Sequence, residues 1–166
     1  TQSPAATTNY TVTVTTALGC TATATGTITV NPLPVAAVVG TNTICAGQST
    51  TLTASGGGTY VWTTGAVTAA ISVSPAATTT YTVTVTTALG CTATASRTVT
   101  VNPLPVAAST STAICAGQSG TITASGGGTY LWNTGAVTAA LTQSPAATTN
   151  YTVTVTTALG CTATAT

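Results

Sequence analysis

A chain of 166 residues with one arginine and no lysine, aspartate, glutamate or histidine has almost no charge with which to act. A single cation, Arg97, cannot neutralise a phosphate backbone, which excludes nucleic acid as a partner; calcium finds no carboxylate, zinc no histidine or closely paired cysteines, and an enzymatic reaction no general base. Hydrophobic residues make up 43% of the chain, yet the longest apolar runs, such as residues 35–39, are strand-length and far short of the roughly 18 residues of a membrane span.

The chain repeats itself. YTVTVTTALGCTATA occurs at residues 10–24, 81–95 and 151–165, its copies 71 and 70 residues apart, and residues 1–25 are identical to residues 142–166. A period of this length is too long for a solenoid turn and suits one small β domain per repeat. Residues 1–34 then form the C-terminal part of a repeat, 35–105 a complete repeat, and 106–166 a repeat lacking its last strand. The shared starting and ending point reads as a window from a longer polymer, or as a subunit completed by its neighbours.

In the first segment, Tyr10, Val12 and Val14 alternate with Thr11, Thr13 and Thr15, the period-2 pattern of a half-buried strand. A second run from Cys20 through Gly26 to Ile28 and Val30 is expected to close a hairpin with it, and Asn31-Pro32-Leu33-Pro34 ends the pairing because proline lacks the ladder N–H. In the middle segment strands are expected near residues 35–39, 49–54, 60–63, 70–73, 80–86 and 92–101, with turns at Gly56-Gly57-Gly58, Gly65 and Ser74-Pro75. The third segment repeats this pattern after Asn102-Pro103-Leu104-Pro105. Such short proline-bearing connections are stiff and extended, so successive repeats should form a rod. No stretch has helical periodicity, and threonine, valine and tyrosine favour pleated surfaces. The fold class expected is all-β: tandem immunoglobulin-like β-sandwiches of about 70 residues per repeat.

The ordered set ICAGQSTTLTASGGGTYVW (residues 44–62), SPAATTTYTVTV, GC and VTVNPLP resembles the Ig-like, PKD-like tandem repeats of large secreted Bacteroidota surface proteins, including gliding and adhesion proteins, over the whole chain. The resemblance implies an extracellular, cell-surface location and a structural role. One departure stands out: the family usually carries Asp and Asn in the turn before the second cysteine, roughly TDANGC, whereas all three copies here read TTALGC. Leucine before glycine is expected to be a poor turn residue, since Asn or Asp tolerates the needed backbone angles far better.

Cys45 and Cys91 are 46 residues apart, as are Cys115 and Cys161, so one disulfide per repeat is expected, with Cys20 left to an upstream partner. Closing such a loop is worth about 4 kcal/mol in the chain-entropy model, and disulfides imply an oxidising, extracellular setting. Trp62 and Trp132, each two residues after a tyrosine, are expected to be core residues, the alternative being a carbohydrate-binding platform. Arg97 lies on the inward parity of its strand; its counterpart Gly26 suggests a bulge that turns it outward. The threonine faces, Thr11, Thr13, Thr82, Thr84, Thr86, Thr152 and Thr154, are candidate carriers of O-linked sugar, and Asn9 and Asn150 head N-glycosylation sequons. No metal site and no cofactor are expected. The function expected is that of a structural repeat in an extracellular bacterial surface fibre or adhesin stalk, with self-association and surface glycans as partners. An alternative form is a filament assembled by strand donation, in which the strand provided by residues 27–30 in the first segment completes another copy.

Overall fold

A computed structural model describes all 166 residues, Thr1–Thr166, and every regular element in it is a β-strand. The first segment holds β1 (Thr8–Thr15) and β2 (Thr21–Ile28). The middle segment holds β3 (Ala37–Gly40), β4 (Thr43–Cys45), β5 (Thr50–Ser55), β6 (Thr59–Trp62), β7 (Ala70–Val73), β8 (Thr79–Thr86) and β9 (Thr92–Asn102). The third holds β10 (Ala108–Ser109), β11 (Gly120–Ser125), β12 (Thr129–Trp132), β13 (Ala140–Gln143), β14 (Val153–Thr156) and β15 (Thr162–Ala165).

Alternation in the sequence becomes alternation in burial. Along β8, Tyr81, Val83 and Val85 are buried while Thr82, Thr84 and Thr86 are half-buried on the other face, and along β5 Thr50, Leu52 and Ala54 point inward. The strand orders are β3-β5-β7 and β4-β9-β8-β6 in the middle segment, and β10-β11-β13 and β12-β14-β15 in the third. With charges absent, the outer faces are tied by cross-strand hydroxyl pairs, Thr82 to Ser96 and Thr80 to Thr98, both at 2.8 Å.

Two compact units result. One comprises Thr1–Val39, Thr53–Ile71 and Tyr81–Arg97, and contains the β1-β2 hairpin, paired from Thr8↔Ile28 to Thr15↔Thr21. The other comprises Gly40–Leu52, Ser72–Thr80 and Thr98–Thr166. Its core is drawn from both sheets of the third segment: Ala124 of β11 and Leu141 of β13 meet Trp132 of β12 and Val153 of β14, with Ile122 and Tyr151 packed at the margin.

Three sequence expectations change. The strand β4, only three residues long, pairs parallel to the end of β9 through Thr43↔Thr100, Ile44↔Val101 and Cys45↔Asn102; a strand this short cannot reveal itself by alternation. No bulge interrupts β9: burial alternates without a break through Arg97, which stays half-buried on the inward parity. The leucine turn is also ordinary. Gly90 N–H donates to Thr87 O at 3.0 Å, Thr87 N–H to Cys91 O at 2.9 Å, and Gly90 takes the left-handed conformation, φ 79°, while no non-glycine residue has positive φ. Leu89 needs no left-handed backbone and stands out in solvent, as Leu18 and Leu159 do.

Candidate functional site

The two tryptophans are core residues. Trp62 is 2% and Trp132 1% exposed, and each indole N–H is satisfied internally, Trp62 Nε1 donating to Thr68 O and Trp132 Nε1 to Thr138 O, both at 2.9 Å. No face of either ring is open for a sugar to stack on. Tyr60 and Tyr130 share those strand faces and are half-buried.

The cysteines arrange differently from the within-repeat pairs that their spacing suggested. Cys45 is bonded to Cys161, with Cα atoms 5.5 Å apart and a separation of 116 positions in sequence, while Cys20, Cys91 and Cys115 are free. The parallel strand β4 is the cause. Cys45 lies beside Asn102, the last residue of β9, whereas Cys91 immediately precedes Thr92, the first. Eleven residues of strand at about 3.3 Å each span on the order of 30 Å, and a disulfide tolerates Cα separations of only about 4.4–6.8 Å. The bond therefore runs from the ICAGQ motif of one repeat to the GC turn of the next. Cys91 occupies in its repeat the place that Cys161 occupies in the next, its Sγ lying 3.9 Å from the carbonyl oxygen of Asn31, the counterpart of Asn102 71 residues earlier.

The third segment carries an open groove of about 760 Å3, lined among others by Ile114, Gly120, Ile122, Leu141, Tyr151 and Thr166. Its polar lining is serine, threonine, Gln143 and Asn150, with no carboxylate, amine or imidazole. Several lining residues differ from their counterparts 70 positions earlier: Gly120 stands where the middle segment has Thr50, Gln143 where it has Val73 and Asn150 where it has Thr80.

Of the candidate glycan carriers, Thr11 and Thr13 are exposed on β1. Thr82, Thr84, Thr152 and Thr154 are half-buried, the hydroxyl of Thr82 being engaged with Ser96 and that of Thr152 with Thr166 at 3.2 Å. Asn9 is exposed, and its Oδ1 accepts a hydrogen bond from the Thr27 hydroxyl at 2.7 Å.

No protein-family model and no curated protein sequence matches this chain. Among solved structures it is similar to a Ca2+-stabilised adhesin that helps an Antarctic bacterium reach out and bind ice, at 20% identity and a TM-score of 0.40, covering 95% of this chain and 55% of that one. It is similar to a 1.5-MDa bacterial ice-binding adhesin at 15% identity and a TM-score of 0.36, covering 95% of this chain and 71% of that one. A third is SGBP-B of the Bacteroides ovatus mixed-linkage glucan utilization locus, in complex with a mixed-linkage heptasaccharide, at 17% identity and a TM-score of 0.27, covering 98% of this chain and 53% of that one. This chain thus spans about half the length of the first of these. All three TM-scores lie below 0.5, so the functional reading rests on the chain's own residues.

Proposed function

We propose that the chain is a structural segment of an extracellular bacterial surface adhesin or fibre, in which immunoglobulin-like sandwich repeats, with boundaries near residues 34 and 105, are held end to end by disulfides and short proline-bearing connections. The observation that supports this reading is the Cys45–Cys161 bond, which joins the ICAGQ motif of the middle segment to the GC turn of the third, 116 positions further along the sequence. A bond in that position does mechanical work: force applied along the chain meets a covalent link between repeats before it reaches the hydrogen-bonded sheets. The amino-acid inventory argues for the same role, since no group able to act as a general base is present. The threonine-covered strands supply hydroxyls for O-linked sugar, with Thr11 and Thr13 the most accessible of them.

Single-molecule extension from the two termini tests this. Under oxidising conditions the segment between Cys45 and Cys161, 116 positions apart in sequence, should stay locked, and reductant should release roughly 400 Å of additional contour length at about 3.5 Å per residue. Equal contour lengths with and without reductant would rule out a covalent tie between repeats.

A further inference from the structure

Tension along the chain enters the middle repeat ahead of β3 and leaves it after β9, so the strands nearest those two points decide what must break first. β3 has no buried residue, and its release uncovers little apolar surface. β4 differs. Its Ile44 is 8% exposed, and it lies against the end of β9, where Val99 is fully buried and Asn102 is 8% exposed.

The two strands are parallel, with Thr43, Ile44 and Cys45 opposite Thr100, Val101 and Asn102. The pairing is continued at both ends by Thr100 N–H to Asn42 O and Ala46 N–H to Asn102 O, each at 2.8 Å. On the other edge of β9 at this point, Val101 N–H donates to a side chain, the Thr78 hydroxyl, at 3.1 Å. Because the strands run the same way, drawing β4 toward the N terminus and β9 toward the C terminus slides them along a common axis. All the bonds of the pair are then strained together, whereas a hairpin pulled apart from its open ends loses them one at a time. Each bond is worth little alone; loading them at once is what raises the barrier.

We infer that residues 42–46 and 100–102 form a force clamp, the element that sets how fast the middle repeat unfolds under tension. While Cys45–Cys161 is closed, tension between the chain termini passes from Cys45 to Cys161 and by-passes β9. The clamp takes the tension once that bond is open. The inference rests on the reading of the chain as a mechanical segment of disulfide-joined repeats, and names the part of the middle repeat that resists the pull. Ala46 gives access to it. Gln48 N–H donates to Cys45 O at 3.0 Å and Gly47 has φ 82°, which makes residues 45–48 a type II turn with Ala46 at the position proline favours. Cys45, in a strand, already has the extended backbone that a following proline requires. Ala46→Pro therefore deletes one bond of the clamp and keeps the turn.

The test is force spectroscopy on the full chain. Cys20 and Cys115 are exposed thiols on either side of the middle repeat, and maleimide handles coupled to them in a Cys91→Ser background apply tension across it; reductant added after coupling opens Cys45–Cys161. At constant force the folded repeat should extend in a step of roughly 200 Å, and the presence of that step in each variant marks a folded repeat. Ala46→Pro should shorten the dwell before the step about fivefold, since the deleted bond exists in the folded state and is already broken at the barrier. Ile44→Val, inside the clamp at 8% exposure, should shorten it about threefold, whereas the same trimming at Ile71 of β7, 7% exposed and outside the clamp, should change it less than about twofold. Dwell times unmoved by Ala46→Pro and Ile44→Val, or shortened as much by Ile71→Val as by Ile44→Val, would overturn the clamp. Absence of Cys45–Cys161 from non-reduced peptides would instead remove the reading of disulfide-joined repeats, and would leave the dwell times, measured on the reduced chain, to decide the clamp.

Discussion

Residues 1–25 and 142–166 are the same sequence in two environments. Both copies pair their Thr-Val-Thr-Val run with the Thr-Ala-Thr-Ala run across the same turn, closed by Thr16 N–H to Cys20 O in one and Thr157 N–H to Cys161 O in the other, each at 2.9 Å. Yet Val12 and Val14 are 57% and 60% exposed, Val153 and Val155 fully buried; Cys20 is a free exposed thiol, Cys161 a buried half-cystine. Local pairing is therefore a property of these 25 residues. Core membership and oxidation state are conferred by what faces them.

The largest break in that comparison should come from the core the second copy packs against. Trp132→Ala removes a ring that is 1% exposed and in contact with the Ala124, Leu141 and Val153 cluster, and should cost about 3–5 kcal/mol in denaturant unfolding. Cys161→Ser should cost about 2–5 kcal/mol by opening a 116-residue loop, whereas Cys20→Ser at the identical sequence position should leave the midpoint unchanged. Val155→Ala should cost about 2 kcal/mol and its equivalent Val14→Ala less than about 0.5 kcal/mol; equal losses at the two sites would mean that the hairpin is as covered as its twin. Smallest of all should be the response to salt or chelator. With one arginine and no other ionisable side chain except thiols and phenols, 1 M sodium chloride or EDTA should leave the unfolding midpoint where it was, and a calcium-dependent shift would contradict the inventory.

Much of the architecture was legible because period-2 alternation is a direct statement about two faces of a sheet. The expected strands at residues 70–73 and 80–86 coincide with β7 and β8 to within a residue. What was hidden had no periodicity to display. The three residues of β4 are too few to alternate, and their parallel pairing with residues more than fifty positions away leaves no local trace. Missing β4 in turn made the equal 46-residue spacings look like two intrarepeat disulfides. Leu89 was misjudged for a related reason: the left-handed position of its turn is Gly90 itself, which the dipeptide alone does not reveal. The burial of Trp62 and Trp132, by contrast, follows from their place on inward strand parities and was readable in advance.

The most direct test of a covalent tie between repeats is peptide mapping of the non-reduced chain. Chymotrypsin suits it, since Tyr60, Trp62 and Tyr81 lie between Cys45 and Cys91, and Tyr130, Trp132 and Tyr151 between Cys115 and Cys161. A cross-linked pair carrying Cys45 and Cys161 is the expected result. Pairs joining Cys45 to Cys91 and Cys115 to Cys161 would contradict it and leave each repeat stapled only to itself.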